Sequence, residues 1–265
     1  MRLINATVRL GAAGLVLLAA AACGSSSDNS ATASTPSQPP PTTTPAKTEP
    51  PAKTEPPATT EPSAGNGCSP NDTKIPANAK TATTADLDLD GAPDTLWLAD
   101  VSGKRTLGVK TATGATFSTT FTSAAPQAAT AIGQKLAPAG PAIVLLNTGR
   151  SVSLYDVVDC RLVPTTNAQG NPYTFDLGFT GYGTGVGCVR NDTGFTLVGR
   201  LSTPAKSGGG HQVTQTEIVL RDFGRQARNG TTTTLAAHAA DDSDVEKQAH
   251  EVTCGPGTPV SEPQS

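Results

Sequence analysis

Residues 24–66 contain no Leu, Ile, Val, Phe, Tyr, Trp or Met, and they hold ten of the chain's 22 prolines. A stretch with nothing to bury cannot offset the entropy of ordering it, so it forms no core. Folding in this 265-residue chain is thereby confined to residues 67–265, which carry all ten aromatic residues and four of the five cysteines. That is enough for one domain with a modest interior. The 19 Lys+Arg stand against 22 Asp+Glu with no basic run, which excludes a strongly basic nucleic-acid binder.

Upstream of this segment, Arg2 and Arg9 precede an apolar run from Leu10 to Ala22, and Gly24-Ser25-Ser26-Ser27 follows it. A basic start, a short apolar stretch and small residues before a polar break make an export signal over residues 1–22. The run has about thirteen residues, short of the ~20 that a spanning helix needs. Leu18-Ala19-Ala20-Ala21-Ala22-Cys23-Gly24 resembles the bacterial lipobox. The resemblance implies a lipoprotein cut after Ala22, with Cys23 acylated by palmitate-like chains and the protein tethered to the extracytoplasmic face of the cell membrane. Each buried methylene of such an anchor contributes about 0.8 kcal/mol.

Residues 23–66 then read as the lipidated Cys and a disordered Pro/Thr-rich stalk. Pro45-Ala46-Lys47-Thr48-Glu49-Pro50 recurs at residues 51–56 and, with Thr59 in place of the lysine, at residues 57–62. Proline fixes φ and lacks a donor, so the repeat favours extended polyproline II. At about 3.1 Å per residue, residues 24–66 reach at most roughly 130 Å. A spacer is the expected role. The alternative, a Pro-rich ligand for a partner domain, lacks a hydrophobic anchor between the prolines.

From Cys68 onward, short runs rich in Leu, Val, Ile and Thr are separated by Gly, Pro, Asn and Asp. Thr95–Leu98, Arg105–Lys110, Ala142–Leu146, Val152–Val158, Thr196–Arg200 and Val213–Arg221 predict strands. Only Ala236–His250 could hold a short helix. A shift of 46 aligns Gly103-Lys104 with Gly149-Arg150, and a shift of 101 aligns Thr95-Leu96-Trp97 with Thr196-Leu197-Val198. The expected fold over 67–265 is all-β, with repeated antiparallel blade-like units packed as a propeller or as a sandwich.

Four cysteines in an exported chain predict two disulfides, with three possible connectivities. The strand-like contexts of Cys160 and Cys188 favour their pairing with each other, which leaves Cys68 for Cys254. No Cys-x-x-Cys spacing supports a zinc site.

Residues 86–94 read Asp-Leu-Asp-Leu-Asp-Gly-Ala-Pro-Asp. Alternating acids at Asp86, Asp88 and Asp90, a turn glycine at Gly91 and a further acid at Asp94 crowd carboxylates into one loop, a costly arrangement without a cation. Calcium suits it, being hard and tolerant of irregular oxygen sets. An EF-hand is excluded because Trp97 stands where its bidentate Glu belongs. The string Ala85–Leu96 resembles the calcium loop of FG-GAP/VCBS repeats, found in integrin α-subunit propellers and bacterial surface proteins. The resemblance implies Asp86, Asp88, Asp90 and Asp94 as side-chain ligands and Ala92 as a carbonyl ligand to structural calcium.

Two weaker candidates are the Ser207–His211 loop and the acidic run His238, Asp241, Asp242, Asp244 and Glu246. No Gly-x-Ser-x-Gly elbow, phosphate-binding Gly-Lys-Ser/Thr loop or His-Glu-x-x-His helix is present in the sequence. The expectation is a monomeric, non-enzymatic calcium-binding module that engages an envelope polymer or protein and no nucleic acid. The alternative is a hydrolase or lyase acting on envelope or extracellular polysaccharide, with carboxylates drawn from Asp94, Asp100, Asp156, Asp159 and Asp176. Binding surfaces of such domains lie in loops, and no aromatic cluster in the sequence marks one.

Overall fold

The computed structural model describes residues 67–263, and the expected signal peptide, Cys23 and stalk lie outside the described residues. Apolar β-branched runs and Gly turns produce three antiparallel meanders. The first sheet orders β1 (Lys80–Thr83), β2 (Thr95–Val101), β3 (Lys104–Lys110) and β4 (Thr116–Thr120). The second comprises β5 (Thr130–Lys135), β6 (Ala142–Asn147), β7 (Ser151–Val158) and β8 (Arg161–Pro164). Here β9 (Thr174–Asp176) also pairs with β7, and β14 (Val260–Ser261) pairs with β5. The third runs β10 (Gly185–Asn191), β11 (Gly194–Pro204), β12 (His211–Arg221) and β13 (Gln226–Ala239). Each segment expected as a strand lies within one of these. The expected helix shrinks to α1 (Asp244–Ala249), because Ala236–Ala239 stay in β13. It is too short and polar to cross a membrane, as is every helix among the described residues.

The second sheet is buried on both faces, which explains why β6 is a continuous apolar run rather than an alternating one. Successive side chains of a strand point to opposite faces. Ala142, Val144 and Leu146 accordingly join Leu96, Leu98 and Leu107 of the first sheet, while Ile143 and Leu145 join Leu197 and Ile218 of the third. The layers are therefore first, second and third sheet in that order. Two-residue connections sharpen the hairpins: Ser102-Gly103 and Asp159-Cys160 all have positive φ, as type I′ turns require. On the outer face of the first sheet the Trp97 indole lies over Gly108, where a Cβ would come within 2.0 Å of the ring.

The disulfides differ from the expected pairing. Cys68 bonds Cys160, and Cys188 bonds Cys254. Cys160 sits in the β7–β8 turn beside the point where the chain enters the domain, whereas Cys188 lies on β10, the edge of the third sheet. The segment after α1 returns along that edge through the parallel bridge Val186–Val252, bringing Cys254 to Cys188. It then pairs as β14 with β5, and Glu262 accepts hydrogen bonds from Arg105 of the first sheet and from the Ala129 N–H. The C-terminal segment thus ties all three sheets. In the chain-entropy picture, closures of 92 and 66 residues each contribute about 4–5 kcal/mol.

Candidate functional site

The loop between β1 and β2 is folded by its own aspartates. Asp94, 1% exposed at the foot of β2, accepts the Leu87 N–H at 2.7 Å and the Ala112 N–H at 3.0 Å. Asp86 accepts the N–H groups of Asp90 and Gly91, both at 3.1 Å, and Asp90 accepts that of Ala92 at 2.7 Å. Leu89 and Gly91 hold the turn with φ of 64° and 94°. Asp88 accepts the Cys68 N–H at 2.7 Å, so the first residues of the domain are strapped across the loop. Gly67 is required there, because a Cβ would stand 2.6 Å from Asp90 Cβ and 2.8 Å from Asp88 Oδ2.

This folding draws one oxygen each from Asp86, Asp88 and Asp94 to within 4.8 Å of one another, a group that could hold a metal ion. The donor set is all hard oxygen, and the buried Asp88 Oδ1 has no hydrogen-bond partner, so the residues fit a hard cation. Asp90, expected as a further side-chain ligand, is not in this group. Its Oδ1 is engaged within the loop by Ala92. Lys135 of β5, which the sequence reading missed, places its ammonium 3.0 Å from Asp86 Oδ2 and neutralises part of the cluster. Burial raises the Asp94 pKa to about 6 against the lowering effect of its two backbone bonds, with Asp88 and Asp90 adding to the rise. Burial likewise raises Asp88.

Asp88 also lines a cavity of about 290 Å³ with Asp156, Asp159, Phe223 and the Cys68–Cys160 bridge. Asp156 is 1% exposed, its Oδ2 lacks a partner, and burial raises its pKa to about 7 although Arg225 opposes the shift. The other acids considered for hydrolysis are scattered. Asp100 caps the β2–β3 turn through Gly103, Asp159 pairs with Arg225 at 3.3 Å, and Asp176 organises the loop after β9.

The two weaker motifs meet each other on the outer face of the third sheet. Glu246 of α1 accepts hydrogen bonds from Ser202 Oγ at 2.7 and 2.9 Å, lies 2.9 Å from His250 Nε2 and 3.5 Å from His211 Nδ1. His211 Nε2 also stands 3.2 Å from Asp241. Burial works to raise the Glu246 pKa, and the bonds from Ser202 and His250 with both imidazoles bring it below the usual range. Ser202 Oγ also lies 3.2 Å from His211 Nδ1, but its proton goes to the glutamate, so the group docks α1 on the sheet.

Four of the ten aromatics, Tyr173, Phe175, Phe179 and Tyr182, line a groove of about 840 Å³ between β9, the loop after it and the third sheet. Sequence reading missed this cluster. Its signal was the string Gly178-Phe179-Thr180-Gly181-Tyr182-Gly183, aromatics set among glycines with no strand or helix period.

Comparison with known proteins gives no match to a family model, to a curated protein or to a solved structure.

Proposed function

We propose that this chain is a lipid-anchored, extracytoplasmic β-domain protein that binds an envelope component, with a structural calcium ion in the Asp86–Asp94 loop. The observation that carries the metal reading is the convergence of Asp86, Asp88 and Asp94 around an unpartnered, buried Asp88 oxygen. The resemblance adds the Ala92 carbonyl to the proposed ligand set, while Asp90, outside the three-carboxylate group, folds the loop by accepting the Ala92 N–H. The ion would fasten the β1–β2 loop and the strap at Gly67–Cys68, and it supplies charge neutralisation rather than chemistry. The three meanders β1–β4, β5–β8 and β10–β13 are read as blade-like units, since the shift of 46 lays the turn after β2 on the turn after β6, the shift of 101 lays β2 on β11, and β2, β6 and β11 are each the second strand of one. The stalk and the acylated Cys23 belong to the same reading. At tenfold excess over the dissociation constant, the ion adds about 1.4 kcal/mol. Thermal melting with calcium and with chelator tests it: the wild type shifts and Asp88→Ala does not. A wild-type melting point indifferent to both removes the metal. Transfer of the protein from membranes to the soluble fraction in Cys23→Ala tests the anchor.

A second reading, a carboxylate-dependent hydrolase, draws on Asp156, whose raised pKa and unpartnered oxygen face the cavity that Asp88 also lines. Polysaccharide cleavage lost in Asp156→Asn would establish it, and absence of cleavage by the wild type disposes of it.

A further inference from the structure

The third sheet overhangs the second. β11 and β12 have 11 residues each and β13 has 14, whereas no strand of the second sheet exceeds 8. Leu197 and Ile218 lie in the core shared with the second sheet, but farther along the same face Gly199, Leu201, Thr214, Thr216 and Thr232 line an open groove. Gly199, Thr216 and Thr232 sit in one cross-strand row, so the floor is flat and lined by hydroxyls.

The groove wall is aromatic. Tyr173 and Phe175 meet edge to face at 5.2 Å, with the Tyr173 hydroxyl bonded to Asn229. Phe179 is 61% exposed and Tyr182 86%. Large apolar faces on a loop this exposed are costly in water unless a ligand covers them. The loop is nonetheless fixed: the Asp176 carboxylate accepts the N–H groups of Phe179, Thr180 and Tyr182 at 3.0–3.1 Å, and Gly178 and Gly181 supply φ of 94° and 82°. Burial works to raise the Asp176 pKa, but these bonds bring it down to about 2, so the groove's carboxylate stays ionised. The nearby cation, Arg150, is stacked over Phe179 at 5.1 Å.

We infer that this groove binds a neutral polysaccharide chain, a reading that rests on the domain being a binding module and not on the metal. A sugar ring offers a C–H face to an aromatic ring and hydroxyls that both donate and accept. Phe179 and Tyr182 match the first, and Thr214, Thr216, Thr232 and Asn229 match the second. Three charged residues line the groove: Arg150 stacks on Phe179, Arg200 donates to the Gln248 carbonyl, and Asp176 stays ionised within its own loop. Neither guanidinium is left free for a phosphate or sulfate, which disfavours a nucleic acid or a polyanion, and the hydroxyl floor disfavours a lipid chain. A volume of about 840 Å³ lies well above the ~300 Å³ at which small-molecule pockets begin. The groove also opens at the Ser151 end of β7, while the chain enters the domain at the Cys160 end, roughly 25 Å away along the strand. A tether at Cys68 therefore leaves the groove accessible.

Calorimetric titration of the full-length protein with maltohexaose, cellohexaose and chitohexaose tests the inference. Saturable binding of at least one is expected, with little change between low and high salt. Phe179→Ala and Tyr182→Ala should each weaken it tenfold or more with the melting point unchanged, whereas Asp88→Ala should leave it intact. Binding that survives both aromatic substitutions overturns the groove assignment, as does failure of all three oligosaccharides to bind. A peptide of residues 45–62 that binds where the oligosaccharides do not also overturns it and assigns the groove to the chain's own Pro-rich segment. Calcium-dependent melting of the same sample reports separately on the proposed function.

Discussion

The β1–β2 loop and the loop after β9 are built by the same device and put to opposite uses. In each, an aspartate accepts several backbone N–H groups and fixes a turn that glycines make possible. Asp94 does so at 1% exposure, with Asp86 and Asp88 drawn in beside it, so the loop concentrates negative charge that no backbone bond can neutralise. Asp176 does so at the surface as a lone carboxylate with no second acid gathered beside it, and what the turn presents is two uncharged rings. In the proposed reading, a carboxylate turn serves as an ion site where acids gather around it and as a ligand platform where aromatics do.

The largest test of this contrast is Asp94→Ala, which strands the Leu87 and Ala112 donors in a buried place. Denaturant unfolding should show a loss of about 3 kcal/mol in chelator, and about 1.4 kcal/mol more at tenfold calcium excess, where the wild type alone gains the ion. A loss below 1 kcal/mol would mean that the loop is not held from its base. Asp156, next to the charged loop, sharpens the comparison through pH. Its folded pKa of about 7 stands above the unfolded value of 3.8, so its contribution to stability is present below pH 4 and lost as pH rises through 7. Asp156→Asn should therefore gain on the order of 2 kcal/mol over wild type at pH 8 and nothing at pH 4. Equal stabilities at both pH values would show that the carboxyl is not buried as described.

Smaller effects separate the two loops further. Lys135→Met removes the ammonium that balances Asp86, and melting should fall by the equivalent of about 1 kcal/mol in chelator but be largely restored by calcium. No restoration would place the lysine's role in packing. Asp176→Ala should cost under about 1 kcal/mol in unfolding, because its loop is exposed, yet loosen Phe179 and Tyr182 enough to raise proteolysis between Leu177 and Thr184. A loss as large as that at Asp94 would dissolve the distinction between buried and exposed turns.

The acidic loop was legible because its determinants lie within nine residues and their spacing is their meaning. Lys135 was not, since it lies 49 residues from Asp86 and reaches it only through the packing of the first sheet on the second. Strands β2, β3, β6, β7, β11 and β12 were visible as apolar runs, but β13 was not. Its Thr232–Thr234 stretch is exposed and lacks alternation, and it is held as a strand by β12 rather than by burial. The disulfide pairing failed for a related reason: the return of residues 252–254 along β10 carries no local signal. The aromatic wall was hidden because rings spaced among glycines resemble a connector until the fold sets them against the third sheet.

Calorimetric titration of calcium into chelator-stripped protein tests the central claim most directly. One equivalent should bind to the wild type, and saturable binding should vanish in Asp86→Ala and Asp88→Ala. Absence of binding at millimolar calcium, or binding unchanged by both substitutions, would contradict the account.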